Sequence, residues 1–193
     1  MKIIVLVDCQ NDFITGPLGS QDAVLAADNI VKYLRGYNEG EALVLYTKDT
    51  HHENYLDTAE AKKLPVKHCI EGTSGWSIYK DISSEVDYGT KFYSYSSFTV
   101  RQGRILKETF GSKELVRIIQ ELAAEYFVEE VIFAGFCTDI CVVSNVLMTK
   151  AAIPETKISV LADCCAGTTP QNHCNALAIM NSCQINLVEG NND

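Results

Sequence analysis

The stretch IIVLVD at residues 3–8 decides the fold class, because five apolar residues in a row end in a carboxylate. A run that does not alternate with polar residues is typical of a strand buried on both faces, as in a parallel sheet covered by helices. Similar short apolar runs recur along the chain and predict a sheet of about six strands. They occupy residues 42–47, 131–134, 158–162 and 185–188, with a weaker run at 86–91.

Helical periodicity lies between these predicted strands. Apolar residues follow the i, i+3, i+4, i+7 pattern in three segments, at 27–34, 115–122 and 176–183. Ser112 is a plausible N-cap for the second, and Thr169 with Pro170 opens the third. This alternation predicts a three-layer α/β/α, Rossmann-like fold with a doubly wound, mainly parallel sheet. Since no repeat or linker interrupts it, residues 1–193 are expected to form one domain.

Composition narrows the class of protein. The chain has 193 residues, 47% of them hydrophobic, and a formal net charge of -9, which argues against a nucleic-acid binder. No apolar run is long enough to span a membrane, and the apolar run at residues 3–7 is too short for an export signal. We therefore expect a cytoplasmic protein without a membrane or nucleic-acid partner. In that compartment its eight cysteines would stay reduced.

Chemically useful side chains follow the predicted strands, where ligands bind in open parallel sheets. Asp8 and Lys91 end the first and the weakest strand, and Cys141 lies where the central strand turns into a helix. A thiol at a helix N-terminus is expected to have a lowered pKa, and the free N–H groups there can hold an oxyanion. Cys137 leaves the same strand, and position alone does not separate the two cysteines. Asp8 could act as a general base.

A second set of polar residues predicts a metal site. Asp49 and His51 follow the second strand, and His68 lies further along the same polar stretch. Carboxylate and imidazole ligands suit borderline divalent metals, and Glu60 between them is a possible fourth ligand. His52 and Glu53 are adjacent competitors.

In order, these segments resemble the isochorismatase-like cysteine hydrolases, and among them the nicotinamidase-like branch. Four motifs spread over almost the whole chain carry the resemblance. They are VDCQNDF at 7–13, DTH at 49–51 with PVKHCIEGTSG at 65–75, Lys91 followed by YSSF at 95–98, and GFCTDICV at 135–142. Two departures from many nicotinamidases are Thr50-His51-His52 in place of Trp-His-Pro and a longer segment at 98–110.

The resemblance implies a role for each matching residue of the catalytic group. Asp8 would be the general base, Lys91 the catalytic lysine and Cys141 the nucleophile, chosen over Cys137 because a valine follows it. The backbone N–H groups of Cys137 and Cys141 would form the oxyanion hole. The resemblance also implies a cis peptide bond between Phe136 and Cys137.

For the cofactor and the substrate, the resemblance implies a divalent metal, usually zinc, held by Asp49, His51 and His68. Some members add a glutamate, which Glu60 would supply. That metal would position the pyridine ring of nicotinamide, and Phe13 and Trp76 are candidates to pack against the ring.

The predicted function is a cysteine-dependent amidohydrolase that converts nicotinamide to nicotinate and ammonia through a thioester, a reaction of NAD metabolism. One alternative is another amidase or a carbamoyl hydrolase of the same family. Another is a non-catalytic thiol redox protein, since eight cysteines include the adjacent pair Cys164 and Cys165. The expected partners are a small-molecule amide and further copies of the chain in a homo-oligomer.

Overall fold

A computed structural model of the protein describes residues 1–36, 42–87, 94–95, 98–99 and 104–190. Six strands form a parallel sheet, and two shorter ones form a separate antiparallel pair. In chain order the strands are β1 (Lys2–Val7), β2 (Ala42–Asp49), β3 (Ser94–Tyr95), β4 (Phe98–Thr99), β5 (Arg104–Lys107), β6 (Glu130–Phe136), β7 (Lys157–Ala166) and β8 (Asn186–Val188). The order across the large sheet is β5-β2-β1-β6-β7-β8.

Helices cover both faces of this sheet. They are α1 (Asn11–Ile14), α2 (Gln21–Arg35), α3 (Lys80–Asp87), α4 (Lys113–Glu125), α5 (Val143–Ala152) and α6 (Pro170–Ser182). Ile3, Val5 and Val7 of β1 belong to one hydrophobic core with buried residues of α4, α5 and α6. Ile4 and Leu6 belong to a second core with α2 and α3. Alternate residues of one strand therefore enter opposite cores, which confirms the predicted three-layer α/β/α architecture.

Side-chain caps begin the three helices that the sequence pattern predicted. The hydroxyls of Ser20, Ser112 and Thr169 accept hydrogen bonds from backbone N–H groups in the first turns of α2, α4 and α6. Pro170 occupies the first turn of α6, where its missing N–H costs no hydrogen bond. None of the helices in the described ranges combines the length and apolarity needed to cross a bilayer.

The sixth strand lies elsewhere than predicted. Residues 86 and 87 of the expected strand at 86–91 belong to α3, and residues 88–91 lie outside the described residues. Helix α3 forms here because Ile82 packs into the core beneath α2, and Arg35 of α2 pairs with Glu85 at 2.8 Å. The sheet takes β5 as its edge strand instead, and pairs it with β2.

The order of the strands reverses between β1 and β6. From β1 the chain moves to β2 and β5 on one side, and then returns to β6 on the other. Such a switch point opens a crevice beyond the carboxyl ends of the two central strands. Gly135 keeps these ends close, because a Cβ built on it would lie 2.0 Å from the Val7 carbonyl oxygen and its φ is +127°.

Candidate active site

Asp8 lies directly beyond β1 at the switch point and is fully buried. Its backbone adopts a left-handed conformation with φ of 49°. Thr47 of β2 donates its hydroxyl proton to Oδ1 of Asp8 at 2.7 Å, and its oxygen accepts the Asp8 backbone N–H at 3.1 Å. The carboxylate is thus anchored through one oxygen, and Oδ2 remains for another contact.

Lys107, the last residue of β5, provides that contact. Its Nζ lies 2.6 Å from Oδ2 of Asp8, 3.1 Å from Oδ1 of Asp49 and 3.5 Å from Sγ of Cys141. Burial alone would lower the pKa of Lys107, but the charges of Asp8, Cys141 and Asp49 outweigh it and raise the pKa well above its usual range. The amine is therefore a cation that faces both the carboxylate and the thiol.

Cys141 lies on a single π-helical turn, Thr138–Val142, which joins β6 to α5. The backbone carbonyl of Cys137 begins this turn by accepting hydrogen bonds from the N–H groups of Ile140 and Val142. The expected position at a strand-to-helix turn is therefore confirmed, as is the cis Phe136–Cys137 peptide bond.

The expected direction of the Cys141 pKa was wrong. Burial raises it well above the usual value for a thiol, and the cation of Lys107 opposes this only in part. The reason is that the side chain is buried, where water cannot stabilise a thiolate. Burial also raises the pKa of Asp8, against the opposing effect of Lys107. A thiol with a raised pKa needs a base to become a nucleophile, and the carboxylate of Asp8 contacts the same lysine amine as the thiol.

The second group of polar residues lies beside the first and can hold a metal. One ligand atom from each of Asp49, His51, Glu60 and His68 lies within 4.8 Å of the other three. Oδ2 of Asp49 is 2.9 Å from Nε2 of His51 and 3.4 Å from Nε2 of His68, and Oε1 of Glu60 is 3.6 Å from both nitrogens. The chain thus brings together all four residues that the sequence suggested.

The surroundings of these side chains fit a cation. Nδ1 of His68 donates to the Val66 carbonyl at 2.8 Å, which leaves Nε2 as the coordinating atom. Among the described residues, the buried Nε2 of His51 has no well-aligned hydrogen-bond partner. Burial lowers the pKa of His51, but the carboxylates of Asp49 and Glu60 outweigh this and raise it to about 9.

A cavity of about 960 Å³ opens beside these groups, lined by His51 and Glu60 of the second group and by Cys137 and Ile140 of the turn that carries Cys141. Phe13 lines it, with its ring edge-on to His68 at 5.5 Å between centroids. Trp76, the other predicted ring-packing residue, does not line it. The centroid of its indole ring lies 3.0 Å from Nζ of Lys48, and the indole N–H donates a hydrogen bond to the hydroxyl of Thr50. Phe110 also lines the cavity.

The predicted catalytic lysine, Lys91, lies outside the described residues, and its role stays a prediction. Within the described part of the chain, Lys107 contacts Asp8 and Cys141, and sequence reasoning did not single it out. A usable signal was present, because strand-to-helix loops in α/β units are typically 2–6 residues long. With Ser112 as the N-cap of α4, the preceding strand should end near Lys107, far beyond residue 91.

Comparisons with known proteins agree with this geometry. The isochorismatase domain model matches residues 2–191. No curated protein is significantly similar in sequence. A nicotinamidase/pyrazinamidase of Bacillus subtilis has a similar structure, with a TM-score of 0.77 and 23% identity over 97% of this chain and 99% of that one.

Two other solved structures extend the comparison. The pyrazinamidase of Pyrococcus horikoshii in complex with zinc gives a TM-score of 0.73 at 23% identity, over 97% of this chain and 98% of that one. The N-carbamoylsarcosine amidase of Thermoplasma acidophilum gives 0.69 at 17%, over 100% and 98%. At such identities, these similarities show a shared fold.

Proposed function

The chain belongs to the isochorismatase family, whose members are hydrolases that act on carbon–nitrogen bonds, and we propose that it is a cysteine amidohydrolase with nicotinamide as its first candidate substrate. One observation carries the proposal: the carboxylate of Asp8 and the thiol of Cys141 both lie within 3.5 Å of a single buried lysine nitrogen. A base, a nucleophile and a fixed cation in contact are the parts that acyl transfer requires.

The proposed reaction has two steps. Asp8 removes the thiol proton of Cys141, and the sulfur attacks the amide carbon to form a tetrahedral intermediate. The backbone N–H groups of Cys137 and Cys141 stabilise its oxyanion. Protonated Asp8 then gives its proton to the leaving nitrogen, ammonia departs, and a thioester remains. Water hydrolyses the thioester with Asp8 again as the base, which releases the acid and restores the thiol.

Lys107 takes the role of the catalytic lysine in this proposal. Its charge lies 2.6 Å from Asp8 and 3.5 Å from Cys141, so it stabilises the negative charge whichever of the two residues carries it. Proton transfer from Cys141 to Asp8 then replaces a carboxylate paired with Lys107 by a thiolate paired with the same lysine. This keeps the free-energy cost of a buried charge low.

Asp49, His51, Glu60 and His68 would hold a divalent metal, with zinc the first candidate from their ligand types. When bound, the ion would supply a Lewis-acidic position that accepts a ring nitrogen of the substrate. His51, Glu60 and Phe13 all line the cavity, so a ring held there would lie against protein groups rather than in solvent.

A carbamoyl hydrolase is the second candidate, because the fold is also similar to that of an N-carbamoylsarcosine amidase. The thiol redox alternative has less support. Burial raises the pKa of Cys165 to about 12 and also raises that of Cys164, so neither thiol has the reactive thiolate that a sensor needs.

Ammonia release from a panel of amides tests the proposal. The panel contains nicotinamide, pyrazinamide and N-carbamoyl amino acids, and the metal-loaded protein is compared with Cys141→Ala. We expect turnover of at least one substrate and its loss in the variant. Turnover that persists in Cys141→Ala would exclude the mechanism. Silence across the panel, together with fast oxidation of one thiol by peroxide, would favour the redox alternative.

A further inference from the structure

Among the described residues, the fully buried hydroxyl of Thr47 makes two hydrogen bonds, and both go to Asp8. It donates to Oδ1 at 2.7 Å and accepts from the backbone N–H at 3.1 Å. The same side chain thus fixes the carboxylate and the peptide group from which the carboxylate projects.

We propose that Thr47 is a positioning residue that directs Oδ2 of Asp8 toward Lys107 and Cys141, and the inference rests on the proposed function in which Asp8 is the base. A carboxylate has two equivalent oxygens and one rotatable bond to the Cβ atom. By occupying Oδ1, Thr47 leaves Oδ2 as the oxygen that contacts Lys107 at 2.6 Å. The base is therefore aimed before any substrate enters.

The backbone conformation of Asp8 explains why the Thr47 side chain is needed to fix its carboxylate. Asp8 has left β1 with φ of 49°, a left-handed conformation that L-residues seldom adopt. Its N–H bonds to the Thr47 hydroxyl, which satisfies a buried donor at the point where the strand ends. Thr47 also lies two residues from the ligand Asp49 on β2, so one strand aligns the base and begins the metal site.

Charged and titratable groups reach Asp8 from several elements. Lys107 of β5 contacts it, Asp49 of β2 adds an opposing negative charge, and Cys141 shares the lysine. The Thr47 hydroxyl acts in the same direction as Lys107, since its hydrogen bond lowers the pKa of Asp8. Loss of the hydroxyl is therefore expected to shift a pH profile, which a purely structural residue would leave in place.

Thr47→Val, which keeps the shape and removes the hydroxyl, is the main test. We expect kcat to fall by about 10- to 100-fold while KM changes by less than about twofold, because a small misplacement of a reacting group costs rate rather than binding. The acid limb of the kcat profile should move to higher pH. Thr47→Ser, which keeps the oxygen, should remain within about threefold of the parent protein.

Thr149→Val is the matched control. Thr149 is a fully buried threonine on α5 whose hydroxyl has no hydrogen-bond partner among the described residues, so the same change there should leave both kcat and the pH profile unaltered. All variants are compared at equal metal content, since Thr47 is close to Asp49. If Thr47→Val does not fold, Thr47→Ala and Thr47→Ser form the pair, which differs by one hydroxyl.

Alkylation of Cys141 by iodoacetamide, mapped by mass spectrometry across pH, provides a second readout that needs no substrate. Removing the hydroxyl should move the acid limb of this profile to higher pH, whether or not the amide panel reveals a substrate. Failure of the panel would thus count against the proposed function alone. Two results would overturn the role of Thr47. In the first, Thr47→Val keeps kcat within twofold of the parent protein and leaves the pH profiles of kcat and alkylation unshifted. In the second, Thr47→Ser loses as much kcat as the variant that lacks the hydroxyl.

Discussion

The two polar groups of the site are built in opposite ways. Asp8, Lys107 and Cys141 come from three strand ends that are distant in sequence, and they meet only when the sheet has formed. The four candidate metal ligands all lie between residues 49 and 68, one at the end of β2 and three in the loop-rich stretch that follows it. The catalytic group is therefore a product of the sheet, whereas the metal site is largely a product of one connection.

Lys107 joins the two groups, since its amine contacts Asp8 and Asp49 at once. Asp49 thus serves one group through Oδ1 and the other through Oδ2. The two groups are therefore in electrostatic contact, but the proposed function gives them separate tasks. In that proposal the first group makes and breaks bonds, and the second would hold the substrate through a metal. The following changes test how far they separate.

The largest effect is expected from Lys107→Met. Turnover should fall by about 10²- to 10⁴-fold, because Asp8 and Cys141 lose the cation that stabilises both anions. The buried carboxylate left behind should also lower the free energy of unfolding by about 3–5 kcal/mol. Steady-state kinetics on the folded fraction and chemical denaturation measure the two effects.

Lys91→Met is the matched control for that variant and should retain turnover within about threefold. If Lys91→Met lost turnover to the extent expected of Lys107→Met, and Lys107→Met stayed active, the catalytic role would return to Lys91.

Removal of the metal should separate the groups more cleanly. Chelation, or His51→Ala, is expected to reduce turnover of nicotinamide by about 10²-fold, since the ring loses the position that the ligands provide. Alkylation of Cys141 should stay within about threefold, because Asp8 and Lys107 remain in place. If the thiol lost its reactivity together with the metal, the two groups would be one unit and the comparison would fail.

Metal affinity should depend on pH through His51. In the metal-free protein its pKa is raised to about 9, so at neutral pH an incoming ion must displace a proton. Affinity should therefore rise about tenfold per pH unit between about pH 7 and 8.5, and level off above 9. Competition with a chromophoric chelator measures this slope. The slope should be the same in Cys141→Ala, which alters only the other group.

The smallest effect is expected at Trp76. Its indole packs on Lys48 and bonds to Thr50 outside the cavity, so Trp76→Phe should change KM by less than about twofold. Stability should fall by about 1 kcal/mol through the lost hydrogen bond. Phe13→Ala, which removes a ring that does line the cavity, should raise KM more strongly. The reverse order would place Trp76 against the substrate.

Much of the fold could be read from local pattern. The runs at 3–7 and 131–134 predicted the two central strands, and Ser112 and Thr169 predicted helix starts, because burial and capping are properties of neighbouring residues. Strand β5 escaped detection because it has four residues, and its Lys107 is a charged side chain that pattern reading assigns to solvent. Only its pairing with β2 buries that lysine beside two carboxylates.

For the site, the sequence by itself determined the chemical types and most of the positions: a carboxylate after β1, a cysteine after β6 and a cluster of metal ligands after β2. These depend on spacing within one segment. The tertiary structure decided which lysine of the described residues contacts Asp8 and Cys141, which oxygen of Asp8 is available, and that burial raises the pKa of Cys141. Those properties depend on distances between strands and on burial, which arise only when the strands pair and the helices cover them.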